Sequence, residues 1–250
     1  MATEENSKKN QVLSAEIQAR AAEVQGRISA AALAAGRDPA EVHLIAVTKF
    51  FPPETVAAAV HAGLTDFGEN RVQELLAKQE TLQSWGLEPR WHLIGTLQRN
   101  KVKYILGKTD LIHSGDKLQL LQEISERSSK AGIETNVLLQ LNPAVEESKH
   151  GFKPSEFLAA AVDALKLPAL RIRGLMAMAP LVENPEETLP YFKTSNELFQ
   201  ELCHLHSKVK PEQPLPDVLS LGMSQDFEQA VACGSTYVRV GSAIFGNRTI

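Results

Sequence analysis

Apolar and polar positions fall in regular blocks along this chain. The most informative block is 42–51, VHLIAVTKFF, where an apolar run leads into a lone lysine, Lys49, and then into Pro52, Pro53 and a helical pattern. A run this apolar and β-rich predicts a strand buried on both faces, as in a parallel sheet inside a helical shell. From Val42 onward a short apolar strand and a helix of several turns alternate. The pattern predicts strands over 42–48, 66–68, 91–94, 111–113, 135–141, 171–176, 218–221 and 237–240. Between them it predicts helices over 53–62, 72–81, 99–106, 116–131, 154–165, 185–206 and 224–232.

Alternating strands and helices build parallel βαβ units. Eight strands in a chain of 250 residues predict a single α/β domain, a (β/α)8 TIM barrel, rather than an open Rossmann sheet. Before the first strand, residues 1–10 are polar and are expected to form a flexible tail. Residues 11–35 predict an Ala-rich helix with apolar positions Val12, Ile17, Val24, Ile28 and Leu33, stopped by Gly36. It is an extra element, expected to pack on the barrel. No composition shift marks a second domain, and PEQPLP at 211–216 is expected to be a loop. The barrel domain is therefore expected over 11–250.

Composition changes this picture little. Hydrophobic residues make up 43% and charged residues 22%, ordinary for a globular protein. A net charge of −4 with a pI near 6.0 gives no electrostatic case for nucleic acid or an anionic membrane. Two cysteines, Cys203 and Cys233, form no CxxC and no disulfide framework. They read as reduced thiols of a cytoplasmic chain. The polar start lacks a secretory signal, and no run reaches the roughly 20 apolar residues of a membrane span. With no exposed apolar stripe beyond the first helix, a monomer is expected.

The chemistry gathers at the predicted strand ends, where a barrel concentrates its functional loops. Lys49 follows the first strand, FGENRVQE the second, and WHLIGTLQRNK spans the third. NPAVEESKHGF, with Lys149, follows the fifth, GLMAMAP marks the sixth, SLGMSQDFEQA the seventh and YVRVGSAIFGNR the eighth. A lysine at a strand end can lose its proton and form a Schiff base with a carbonyl; it can also only snorkel to water. Ser224, expected to open a helix, and the Gly241–Ser242 turn form a candidate phosphate cradle of backbone N–H groups, or simply two N-capped helix starts. Arg239 interrupts the apolar YVRV and needs either a structural ion partner or a bound anion or aromatic nitrogen. His92 and His113 are candidates to share the same face, but no HxH or HExxH spacing supports a metal site.

Taken together, LIAVTKF, FGENRVQE, WHLIGTLQRNK, the NPAVEESKHGF loop, GLMAMAP and LSLGMSQDFEQAVACGSTYVRVGSAIFGNR resemble the pyridoxal 5′-phosphate (PLP) homeostasis family. The barrel of that family is related to the N-terminal domain of bacterial alanine racemase. The resemblance spans residues 44–248. It implies a fold-type-III-like barrel, without the racemases' second β domain, holding PLP as an internal aldimine on Lys49. It implies that Arg239 faces the pyridine nitrogen, that Ser224, Gly241 and Ser242 hold the phosphate with Met223 nearby, that Asn70 lies near the 3′-oxygen and that His92 neighbours the ring face. Thr96, where many relatives carry His, receives no role. Gly115 departs from the Val or Ile that relatives often have. The implied function is vitamin B6 and amino-acid homeostasis, as a PLP carrier or buffer serving PLP-accepting apoenzymes without committed catalysis. The alternatives are a PLP-dependent amino-acid racemase, a Schiff-base aldolase, and an interaction protein that uses the first helix.

Overall fold

The structure, a computed structural model, describes residues 2–146 and 149–246. Glu147 and Ser148 of the NPAVEESKHGF loop, and residues 247–250 after the last turn, lie outside the described residues. Eight parallel strands close in sequence order into a barrel. They are β1 (His43–Val47), β2 (Asp66–Glu69), β3 (Arg90–Leu93), β4 (Leu111–Gly115), β5 (Thr135–Leu141), β6 (Leu170–Ala177), β7 (Val218–Ser220) and β8 (Tyr237–Val240). Closure is by β1 against β8, with Ile45 opposite Arg239. The helices are α1 (Ala2–Ala34), α2 (Pro53–His61), α3 (Val72–Ser84), α4 (Val102–Ile105), α5 (Leu118–Ala131), α6 (Pro154–Leu165), α7 (Leu189–Val209), α8 (Phe227–Ala232) and α9 (Ser242–Phe245). Among the described residues no helix is long and apolar enough to cross a membrane.

The main hydrophobic core lies between strands and helices, as the two-sided apolar strands require. The barrel interior is divided. One part is apolar, built from Leu111, Leu138, Met176 and Val218. The other carries buried Asp66, His92, His113, Ser220 and Arg239, an unusual filling for a site that barrels normally pack with branched aliphatics.

The extra helix α1 packs against α2, α8 and α9, so its apolar face belongs to the barrel. Two details differ from the sequence pattern. The buried stripe is Ile17, Ala21, Val24, Ile28 and Ala32, whereas Val12 and Leu33 are 60% and 67% exposed. The contact face is thus the expected Ile17, Val24 and Ile28, extended by Ala21 and Ala32, whose small side chains allow close helix approach. The helix also begins at Ala2, where a flexible tail over 1–10 was expected; no Gly or Pro interrupts the chain before Gly26, so nothing stops the helix from propagating. Arg27 secures α1 with a two-pronged bond to Glu228 of α8 at 3.1 and 2.8 Å.

A third difference concerns the loop after β7. The helix expected from residue 224 starts at Phe227. Asp226 instead turns its side chain back to accept from the Met223 N–H at 2.6 Å, which holds 223–226 as a turn. Gly115 ends β4 where its pairing with β5 shifts register. A Cβ there would lie 2.6 Å from the Leu138 carbonyl oxygen, so glycine is what lets β4 and β5 approach.

Candidate functional site

One cavity of about 870 Å³ opens at the C-terminal mouth of the barrel, the end at which barrel loops converge. Its size lies within the range of small-molecule and cofactor sites. Seven of the residues singled out in the sequence line it together: Lys49, Asn70, Met223, Ser224, Arg239, Gly241 and Ser242. Thr96 lies on the same wall, as do Gln140 and Lys149. His92 does not. It is buried in the barrel interior, with Nδ1 at 3.2 Å from His113 Nε2 and Nε2 at 3.0 Å from Asp66 Oδ1. This corrects the expectation that it borders the cavity. In a strand only alternate residues point inward, and the inward His92 ring is taken up on both nitrogens by His113 and Asp66 in the barrel interior.

The backbone around Lys49 is clamped on both sides. Lys78 Nζ donates to the Thr48 carbonyl at 2.8 Å, and the Phe50 N–H donates to Glu74 Oε1 at 2.6 Å. Lys78 is itself paired with Glu69 at 2.6 Å and Glu74 at 2.9 Å, and Thr48 Oγ1 donates to Glu69 at 2.7 Å. Phe50 adopts φ 70, a left-handed conformation that a bulky residue holds only when its surroundings enforce it. Burial raises the Glu69 pKa even against Lys78, and Glu69 Oε2 is buried with no hydrogen-bond partner among the described residues. The i, i+4 spacing of Glu74 and Lys78 was visible in the sequence; the role of the pair in shaping the strand end was not.

Asn70 reaches the cavity because Gly95 leaves room for it. A Cβ on Gly95 would overlap the Asn70 carbonyl oxygen and lie 2.7 Å from its Cα. On the opposite wall the Gly241 N–H donates to Ser224 Oγ at 3.2 Å, which ties the turns after β7 and β8 together. The Ser224 hydroxyl proton and the N–H groups that open α9 point to a site for an anion, because a helix's first N–H groups have no acceptor within the helix. Replacing Gly241 would bring a Cβ to 3.2 Å from the Val47 carbonyl, so this turn tolerates little bulk.

Arg239 completes the wall. Its guanidinium donates to the Ser220 carbonyl at 2.8 Å, to Ser220 Oγ at 2.6 Å and to the Ala177 carbonyl at 3.0 Å. All three acceptors are uncharged. Burial lowers its pKa to about 10, opposed only by the charge of Asp226, so it remains a cation at neutral pH. Asp226 is in turn raised by burial, with the Met223 N–H and Arg239 acting the other way. None of the three tyrosines, and no histidine or cysteine, lines the cavity among the described residues. Nor do they offer a group of three His, Cys, Asp or Glu placed for a metal.

The profile of the family described as "Alanine racemase, N-terminal domain" matches residues 24–249. The pyridoxal phosphate homeostasis protein of Aquifex aeolicus is 42% identical over 229 residues, 92% of this chain and 97% of that protein. The one of Escherichia coli K12 is 39% identical over 228 residues, 91% and 94% of the two chains. Among solved structures, PipY of Synechococcus elongatus PCC7942 with PLP bound matches with a TM-score of 0.77 at 34% identity, over 92% of this chain and 100% of that one. Alanine racemase from Corynebacterium glutamicum matches with a TM-score of 0.63 at 14% identity, over 90% and 61%, a likeness of fold alone.

Proposed function

The chain belongs to the pyridoxal phosphate homeostasis protein family, and on that premise we propose that it binds PLP covalently through Lys49 and buffers or delivers it without committed turnover. The observation that carries this reading is the meeting of Lys49, Arg239 and the two Gly/Ser turns around one cavity. The residues fit the group: an amine for its aldehyde, a hydroxyl and N–H cradle for its phosphate, and a buried cation for its ring nitrogen. When bound, PLP supplies an electrophilic carbon and an electron-withdrawing ring.

This chain's residues then divide the work. Lys49 anchors, with its backbone fixed by the bonds of Lys78 and Glu74 to its neighbours. Ser224, Gly241 and Ser242 hold the phosphate, Met223 packs beside it, and Asn70 bonds the ring oxygen. Arg239, a cation, keeps a proton off the ring nitrogen and so weakens the electron sink. Among the described residues the cavity wall also lacks the phenol or imidazole that a racemase would use to move a proton on the face opposite the lysine. Both features favour holding over turnover. A monomer that passes its PLP to apoenzymes in the cytoplasm completes the proposal.

The test is an absorbance titration of purified protein with PLP, with Lys49→Ala in parallel and amino-acid racemisation and transamination assayed on the loaded protein. A yellow band is expected in wild type and not in Lys49→Ala, without turnover at the roughly 1–1,000 per second usual for enzymes. A wild-type protein that stays colourless with excess PLP overturns the binding reading; turnover at those rates overturns the carrier reading.

A further inference from the structure

Beneath the cavity a single file of buried polar side chains crosses the barrel interior. Asp66 Oδ1 is 3.0 Å from His92 Nε2, His92 Nδ1 is 3.2 Å from His113 Nε2, His113 Nδ1 is 3.1 Å from Ser220 Oγ, and Ser220 Oγ accepts from Arg239 at 2.6 Å. All five side chains are buried, and they come from β2, β3, β4, β7 and β8. The file begins at the first residue of β2, where Arg90 forms a two-pronged bond to Asp66 at 2.9 and 2.6 Å. It ends at the guanidinium that lines the cavity.

The two ends dictate where every proton lies. Arginine only donates and a carboxylate only accepts. Burial disfavours the charge of Asp66, but bonds from His92, Arg90 and Thr65 outweigh it and hold the carboxyl well below the usual range. His92 therefore presents Nε2–H to Asp66, and if neutral it accepts at Nδ1. His113 must then donate from Nε2 and accept at Nδ1, and the Ser220 hydroxyl supplies that proton while its oxygen accepts from Arg239. Burial above all, with the Arg239 charge adding to it, holds His113 well below its ordinary value, in keeping with a neutral ring. The alternative, a doubly protonated His92, would reverse the next two bonds. It would put a second cation in the file and leave the Ser220 proton without an acceptor among these partners.

We propose that Asp66, His92, His113 and Ser220 form one proton-ordered hydrogen-bond chain that fixes both histidines as Nε2–H tautomers and positions the Arg239 guanidinium at the cavity. They are positioning residues, acting through Arg239 rather than on a ligand. The part concerning bound PLP rests on the function proposed above; the proton order does not. The charged and titratable groups facing the file are Arg90, Asp226 and Tyr237, whose ring lies 5.9 Å from that of His92.

The test has two arms. Nitrogen-15 NMR of the ligand-free protein at pH 8, with His92→Gln and His113→Gln for assignment, is expected to show both rings protonated at Nε2 only. A proton on Nδ1 of either ring overturns the ordering. In the second arm, PLP is added to wild type, Asp66→Asn, Ser220→Ala and Ser220→Thr. The ratio of the bound cofactor's absorbance bands at fixed pH is expected to change about threefold, the effect of half a pKa unit, in Asp66→Asn and Ser220→Ala, and to return in Ser220→Thr. An unchanged ratio in variants that still bind PLP overturns the positioning role. A wild-type protein that binds no PLP refutes the function proposed above instead, and the NMR arm still decides the order of the chain.

Discussion

Two buried cations stand beside the cavity, each 4% exposed, and they are held in opposite ways. Lys78 sits among charges, touching the carboxylates of Glu69 and Glu74 and the Thr48 carbonyl. Arg239 is hydrogen-bonded only to uncharged oxygens; the charge of Asp226 acts on it at longer range, and Ser220, His113 and His92 link it to Asp66. The first arrangement neutralises its cation and shapes the backbone beside Lys49. The second leaves its cation with no carboxylate among its hydrogen-bond acceptors and facing the cavity, which is where an anionic ligand with a basic ring nitrogen could use it. Burial, only partly offset by the charge of Asp226, lowers the Arg239 pKa to about 10, a net cost on the order of 3 kcal/mol. Strongly shifted groups in a cleft cluster at functional sites, and Arg239 lines the cavity. A buried cation kept for stability and one kept for binding thus differ in their nearest partners rather than in their burial.

The contrast is broken most forcefully at Lys78. Lys78→Met leaves Glu69 buried and unpaired, and should lower unfolding free energy by about 3–5 kcal/mol in urea denaturation. Pairing it with Glu69→Leu should restore much of that loss, because two apolar residues leave no stranded charge; a double variant as unstable as Lys78→Met would contradict the ion-pair account. On the arginine side, Ser220→Ala should cost about 1–3 kcal/mol, since Arg239 keeps its two carbonyl bonds, and a loss as large as that of Lys78→Met would erase the distinction.

A smaller effect separates the two regions by pH. His113 binds its proton more weakly when folded than its ordinary value of 6.5. Below pH 6.5 the unfolded chain takes up a proton that the folded chain refuses, so stability falls with acid by up to about 1.4 kcal/mol per pH unit. In denaturation followed from pH 7 to 5, His113→Gln should flatten that slope; an unaltered slope would mean that His113 is protonated in the fold. The smallest effect is expected outside both regions, where Val12→Ser should change stability by less than about 0.5 kcal/mol because Val12 is exposed.

The same two regions show how much of the molecule the sequence carries. The strands are legible because most hold a local apolar run and the rest, such as DFGE of β2, fall in the strand–helix rhythm. Lys49, Asn70, Arg239 and the two Gly/Ser turns are legible because a strand end followed by polar or small residues is also a local pattern. Glu74 and Lys78 lie on one helix, four residues apart, so half of the clamp could be read from spacing. The file from Asp66 to Arg239 could not. Its members are drawn from five strands, and their contacts depend on strand parity and register around a closed barrel, which no single segment encodes. That is why His92 belongs to the interior file rather than to the cavity wall. The late start of α8 has a similar cause: the side chain of Asp226 takes the Met223 N–H, a competition that helical spacing does not reveal.

Attachment at Lys49 is the central claim, because the cavity that Arg239 faces is read as the site of the ligand that Lys49 anchors. Protein loaded with PLP should be reduced with borohydride, digested and mapped by mass spectrometry. The pyridoxyl group is expected on the peptide carrying Lys49, with Lys78 and Lys149 unmodified. A label on Lys78 or Lys149 in place of Lys49 would contradict the account, as would no fixed label in protein that had taken up PLP.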